Sequence, residues 1–180
     1  IPASTLKIVT CLAALEILGD KYRFETGFFL DDQQNLYIKG YGDPFLTSGV
    51  LKTIAEKLYA RGIRQLLSIY LDETSYAVHS LADGAGQSAN PFDAPNGGLA
   101  VNFNSVPVFV SPDGTITSAE AETPTIPLMY ELGGILPPGA HRINVNMLQE
   151  KNSISPSLQY TGELITTLFS NAGITIQNEF

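Results

Sequence analysis

Residues 2–19 read Pro-Ala-Ser-Thr-Leu-Lys-Ile-Val-Thr-Cys-Leu-Ala-Ala-Leu-Glu-Ile-Leu-Gly. Ile8, Leu12, Leu15 and Leu18 recur at helical spacing, Cys11 shares their stripe, and Gly19 ends the pattern. An amphipathic helix over about 4–18 is predicted. Ser4 and Lys7 fall in its first turn at i and i+3, on one face, near enough for the amine to approach the hydroxyl. The helix N-terminus adds partial positive charge where an oxyanion would develop. A serine hydroxyl is a poor nucleophile until a base takes its proton, and a free lysine amine, with reference pKa about 10.4, is almost wholly protonated near pH 7. Lowering such an amine by roughly three units requires about 4 kcal/mol of desolvation or neighbouring positive charge, so residues outside the helix must close over it. The spacing alone is weak: 13 Ser and 6 Lys in 180 residues produce it about 0.4 times by chance. The competing reading is a Ser near a helix start and a solvated Lys.

Beyond Gly19, Phe24 to Leu30 and Leu36 to Ile38 flank a polar turn, Asp31-Asp32-Gln33-Gln34-Asn35, and predict a β-hairpin. Gly40 to Pro44 reads as a tight loop. Leu51, Ile54, Ala55, Leu58 and Tyr59 form a second helical stripe ending at Gly62, and Leu67 to Leu71 reads as a buried strand. Ala82 to Gly98 is crowded with Gly, Asn, Asp, Ser and Pro and predicts a long loop. Strands are expected at Leu99 to Phe103, Val106 to Val110, after the Asp113-Gly114 turn at Thr115 to Thr117, and at Arg142 to Leu148. Pro124, Pro127, Pro137 and Pro138 read as punctuation. Leu158 to Asn171, closed by Gly173, is the third helix, and Ile174 to Ile176 starts a last strand.

The bulk chemistry excludes several classes. With 44% hydrophobic and 16% charged residues the chain can bury a core. A formal charge of −8 opposes binding to nucleic acid or anionic lipid. Cys11, the single cysteine, has no bridging partner, and its apolar neighbours predict a buried, inert thiol. His79 and His141 lie far apart with no Cys or His at ligand spacing, so a zinc site is not expected. Lys7 to Gly19 imitates a signal peptide, but Glu16 interrupts it, no cleavage site follows, and it is too short to span a bilayer. A start at Ile-Pro-Ala-Ser instead of Met leads us to expect that the sequence begins inside a longer protein.

Pro2 to Thr10 and the Ala/Leu-rich helix after it resemble the nucleophile segment of the type-4, class C penicillin-binding proteins, the D-alanyl-D-alanine carboxypeptidases of serine peptidase family S13. The likeness continues through Leu36-Tyr37-Ile38-Lys39-Gly40-Tyr41-Gly42-Asp43-Pro44-Phe45-Leu46, similar to that family's Gly-Asp-Pro turn. It extends to Gly62-Ile63-Arg64, Asp72, Phe92-Asp93-Ala94-Pro95-Asn96, Ala100-Val101-Asn102-Phe103-Asn104 and Tyr160 to Ile174. By themselves Gly40, Gly42 and Pro44 make a turn, and Asn102 and Asn104 are loop or strand-end hydrogen bonders; all are assigned to structure.

The resemblance implies an α+β fold, an antiparallel β-rich inserted region with two or three helices, forming part of a penicillin-binding transpeptidase-like fold whose catalytic core is incomplete. It divides the chain into the nucleophile helix (1–22), the insertion (23–157, possible as two subdomains) and a helix and strand returning toward the core (158–180). It implies a Ser4 nucleophile with Lys7 as base, acting on peptidoglycan stem peptides ending in D-Ala-D-Ala, β-lactams as covalent inhibitors, and a periplasmic or extracytoplasmic location. The family's Ser-x-Asn and Lys-Thr-Gly motifs are not convincingly present. Ser88-Ala89-Asn90 has the first spacing but lies upstream of where it belongs, and Tyr160-Thr161-Gly162 lacks the amine. The family's acidic residue near the substrate lies in a Trp-bearing segment that this Trp-free sequence lacks, so the role is not carried to Asp93. Class A β-lactamases would need Ser-Asp-Asn, which neither Ser68 nor Ser75 starts, and class C enzymes Tyr-x-Asn, which no tyrosine starts. The rival expectation is a non-catalytic accessory module of a cell-wall enzyme, and for the 180-residue chain alone it is the favoured one.

Overall fold

The computed structural model describes residues 3–76, 86, 88–148, 150 and 154–178; His79 and part of the loop expected over 82–98 lie outside them. A 3₁₀ turn, Ala3–Thr5, leads through Thr5, itself right-handed helical, into α1 (Leu6–Leu18). Gly19, at φ 82°, ends it. The predicted hairpin is β1 (Thr26–Leu30) and β2 (Leu36–Gly40), antiparallel, with Phe28 opposite Ile38. Asp31 organises its turn: its carboxylate accepts from Gln33 N, Asn35 N and Asn35 Nδ2 at 2.8–2.9 Å, and the Asn35 bonds hold its pKa below the usual carboxylate value.

α2 (Ser48–Ala60) starts at Thr47, whose hydroxyl accepts from Val50 N. It buries Leu51 and Ala55, and Gly62 at φ 95° follows its end. The strand expected over 67–71 is split into β3 (Gln65–Leu66) and β4 (Ile69–Asp72). β4 lies parallel to β2, Ile38 beside Leu71, so β2, α2 and β4 form a strand–helix–strand crossover. α4 (Pro156–Asn171) turns Tyr160, Leu164, Ile165, Leu168 and Phe169 into the core and packs against α2. It runs into the short strand Thr175–Ile176, parallel to β3. The third sheet is antiparallel: Ser105–Val110 (β5) lies between Ile116–Ser118 (β6) and Gly139–Asn144 (β7), with Thr175–Ile176 becoming β8. One apolar cluster links Leu36 and Ile38 of β2, Leu51 of α2, Val106 and Val108 of β5 and Tyr160 and Phe169 of α4.

The α+β reading holds, with departures. Four α-helices occur among the described residues, one more than the three read along the sequence. The additional one, α3 (Pro127–Gly133), was hidden by Pro127, which sits at the helix start where its missing N–H matters least. The Leu128 N–H donates instead to Glu163 Oε2 of α4, 2.8 Å. Leu99 to Phe103 is no strand: Leu99 and Val101 are buried, but Asn102, Phe103 and Asn104 have φ of 48°, 60° and 51°. The strand expected over 142–148 stops at Asn144, whose side chain accepts from Asn146 N and starts a 3₁₀ turn. α1 buries no residue, and Cys11, expected inside, is exposed. The stripe of α1 is apolar, but nothing in the described chain closes over it.

Candidate active site

Ser4 lies in the 3₁₀ turn before α1 and Lys7 is the second residue of that helix. The continuous helical turn keeps the i, i+3 relation, and both residues are exposed. What the sequence requires beyond the pair, a wall that removes the amine from water, is not supplied by any described residue, since α1 has none buried. Ser88-Ala89-Asn90 is a turn lock. The Ser88 hydroxyl donates to Asp93 Oδ2 and accepts from Asn90 N, and Asn90 O accepts from Asn144 Nδ2. The Ser88 bond, then the Gly86 N–H at 2.7 Å, holds the Asp93 carboxyl below the usual range.

A second concave feature, about 470 Å³, opens past the carboxyl ends of β2 and β4 and is lined by Asp43, Tyr76, Phe92, Pro95, Asn96 and Phe103 among others. Two backbones meet to form it. A Cβ on Gly40 would lie 2.1 Å from Gly98 O, and that same oxygen accepts from Gly42 N at 2.8 Å. Glycine at position 40 therefore serves close approach. Tyr76 lies against Gly42, and its hydroxyl donates to Tyr41 O, 3.0 Å.

Across the cleft, the left-handed turn 102–104 displays Phe103, which is 58% exposed, while Asn102 and Asn104 are buried beneath it. Non-glycine residues in that conformation are disfavoured by about 1–2 kcal/mol each, least for Asn. The surroundings over-determine it. Asn102 Oδ1 accepts from Ser48 N (2.9 Å), and its Nδ2 donates to Ser48 Oγ and Tyr160 Oη (2.8 Å each). Its carbonyl accepts from Ser105 Oγ and Arg142 Nη2. Asn104 Nδ2 donates to Pro95 O (2.8 Å) and its Oδ1 accepts from Ser157 Oγ (2.8 Å). Burial pushes the Tyr160 phenol well above its ordinary pKa, so it stays a neutral partner. The two asparagines thus have the structural role assigned to them. Sequence reasoning missed the cleft: its signals, Phe92 and Phe103 in turn-rich sequence and Tyr76 just past a strand end, are separated along the chain and meet only through the Gly40–Gly98 approach. Among the described residues no three His, Cys, Asp or Glu side chains gather as a metal site.

This mixed α+β architecture is that of a penicillin-binding-like fold. A model of the "D-Ala-D-Ala carboxypeptidase 3 (S13) family" matches residues 1–133, and the chain belongs to that family. It is 32% identical over 100 residues to the D-alanyl-D-alanine carboxypeptidase of Actinomadura sp. (strain R39), covering 51% of this chain and 19% of that protein. It is 30% identical over 128 residues to the D-alanyl-D-alanine carboxypeptidase DacB of Haemophilus influenzae (strain ATCC 51907 / DSM 11121 / KW20 / Rd), covering 67% of this chain and 25% of that one. The chain thus matches about a fifth to a quarter of the length of these curated relatives. The crystal structure of penicillin binding protein 4 (dacB) from Haemophilus influenzae superposes with a TM-score of 0.66 at 19% identity, over 99% of this chain and 49% of that chain. The same protein complexed with a β-lactam gives 0.53, over 97% and 44%. These likenesses establish the fold.

Proposed function

We propose that the protein carrying this chain is a serine D-alanyl-D-alanine carboxypeptidase acting on peptidoglycan stem peptides, with Ser4 as nucleophile and Lys7 as base. The observation that carries the reading is the Ser4–Lys7 pair in the turn that leads into α1, inside the residues 1–133 that the family model matches. Ser4 Oγ attacks the carbonyl carbon of the penultimate D-Ala while its proton passes to the Lys7 amine. The tetrahedral oxyanion develops near the positive end of the helix. Collapse breaks the C–N bond, the proton goes to the departing D-Ala amine, and water then hydrolyses the ester. A β-lactam acylates the same oxygen. The substrate places the protein outside the cytoplasmic membrane, and no helix among the described residues is long and apolar enough to cross one.

The exposure of α1 favours a second reading for the 180 residues alone: an accessory module without turnover. Fluorescent penicillin and intact-mass analysis test both. In the whole protein Ser4→Ala abolishes the adduct. Lys7→Ala slows acylation at least about a hundredfold, general-base help being worth about 10² to 10⁴, and Lys7→Arg does not rescue it, because guanidinium keeps its proton. Normal labelling of Ser4→Ala removes the assignment. The 180-residue chain gives no adduct within minutes, and a stoichiometric one on Ser4 would show a working site within it.

A further inference from the structure

The cleft past β2 and β4 is unused by the Ser4–Lys7 chemistry, and its construction is that of a binding site. Its place, outside the carboxyl ends of neighbouring parallel strands, is where α/β crossovers put ligands. Its volume of about 470 Å³ falls among small-ligand sites, about 300–1,000 Å³. Phe92 is 93% exposed and Phe103 58% exposed. Solvent-facing phenyl rings are costly to leave uncovered when gathered at one concave place.

The backbone turns that carry the rings are fixed before any ligand arrives. Phe103 is set by the left-handed turn and its two buried asparagines. Phe92 lies in a 3₁₀ turn, Pro91–Asp93, whose Asp93 carboxylate is bonded to Ser88 and Gly86. Tyr76 is pinned by its bond to Tyr41 O. Asn104 ties the Phe103 turn to Pro95 on the loop beside it. Such preorganisation lowers the ordering cost of binding.

Among the described residues the lining carries Asp43 and Asn96 and no Lys, Arg or His, and the whole chain has a formal charge of −8. Anionic ligands are repelled. The site suits a neutral ligand with apolar C–H faces to lie on aromatic rings and hydroxyl or amide N–H groups to donate to a carboxylate and a carboxamide. Those are the features of an N-acetylated amino-sugar.

We infer that the Asp43–Phe92–Phe103 cleft binds the amino-sugar backbone of a glycan, holding the polymer while its peptide is presented elsewhere. The choice of peptidoglycan as the glycan rests on the proposed function; the ligand chemistry does not. The β-1,4-linked trimer of N-acetylglucosamine is the probe, titrated into the protein and followed by amide chemical shifts. Saturable shifts are expected at Tyr76, Phe92, Asn96 and Phe103. Phe103→Ala and Phe92→Ala each weaken binding about tenfold or more, as expected for loss of an aromatic anchor, while Phe103→Tyr retains it. Because Phe92 is almost fully exposed, its alanine variant reads the cleft even if Phe103→Ala disturbs the fold. Absence of saturable shifts, undiminished affinity in both alanine variants, or tighter binding in the cleft of a sugar-free peptide ending in D-Ala-D-Ala overturns the inference. Penicillin labelling of Ser4, read separately, reports on the acylation reading alone, so the two can fail independently.

Discussion

Replacing Asn102 by alanine tests the account of the left-handed turn. The side chain satisfies Ser48 N–H, the start of α2, at 2.9 Å and donates to the buried Tyr160 hydroxyl at 2.8 Å. Ser48 Oγ keeps Thr123 as a partner after the substitution, so the principal loss is one buried, unpaired N–H and one weakened phenol. An orphaned buried donor costs about 1–3 kcal/mol, a lost neutral hydrogen bond about 1 kcal/mol. Alanine at φ 48° adds about 1 kcal/mol relative to asparagine. The sum, about 3–5 kcal/mol, is a large part of a typical total of about 5–15 kcal/mol. Urea unfolding with an unchanged m-value reads it. Asn102→Gly removes the same hydrogen bonds but tolerates the backbone, and falls about 1 kcal/mol short of the alanine loss. Tyr160→Phe costs about 1 kcal/mol, and in the double variant with Asn102→Ala part of that loss disappears, since the two share one bond. A loss below about 1 kcal/mol for Asn102→Ala, or a glycine variant worse than the alanine one, refutes the reasoning.

Gly40→Ala cannot be absorbed by a side-chain movement, because the 2.1 Å neighbour is the Gly98 carbonyl; soluble yield and thermal midpoint should fall sharply, while Gly114→Ala, which meets no atom, pays only for φ 86° and falls by about 1–2 kcal/mol. Stability falls on acidification from about pH 4 to about pH 2. Asp72 is held at about 2, first by the Thr74 hydroxyl and N–H and then by Lys39, and Asp113 at about 2, first by the Ser111 hydroxyl, so both contribute above the ordinary 3.8 and lose that contribution as they protonate; circular dichroism follows it, and an Asp72→Asn/Asp113→Asn variant shows a shallower decline. Ile17→Ala, at an 80% exposed position of α1, changes the stability of the 180-residue chain by less than about 0.5 kcal/mol, whereas Leu164→Ala in the buried face of α4 costs about 2–5 kcal/mol; equal losses would place α1 in the core.

The elements legible from sequence were those whose local chemistry and burial agree. α2 and α4 carry apolar residues at helical spacing, side-chain caps at Thr47 and Ser155, and Gly62 and Gly173 past their ends. The β1–β2 hairpin has a polar turn organised by its own Asp31. Failures came where a distant partner decides. Leu99 and Val101 satisfy the core as a strand would, but the turn at Asn102 is set by Ser48, Tyr160 and Ser157, residues more than fifty positions away. Pro127 looks like a breaker until Glu163 is seen to receive the next N–H. The Ser4–Lys7 pair could be read because its relation is local; the cleft could not, because the Gly40–Gly98 approach that builds it leaves no periodic trace.

α1 joins the two questions. Leu6, Ile8, Val9, Leu12, Leu15, Ile17 and Leu18 point apolar groups around most of the helix circumference, and all are exposed. A helix apolar all round is one meant to be enclosed, not to float on a surface with one wet side. The stripe predicted over Ile8, Cys11, Leu12, Leu15 and Leu18 captured only part of this pattern, and Cys11, expected inside, is outside because no described residue covers the helix. Whatever encloses α1 also encloses its first turn. Under the proposed assignment, the burial that would remove seven apolar side chains from water would also hold the Lys7 amine against Ser4 Oγ and exclude solvent from an acyl-enzyme, so that stabilising the helix and activating the nucleophile would be a single event.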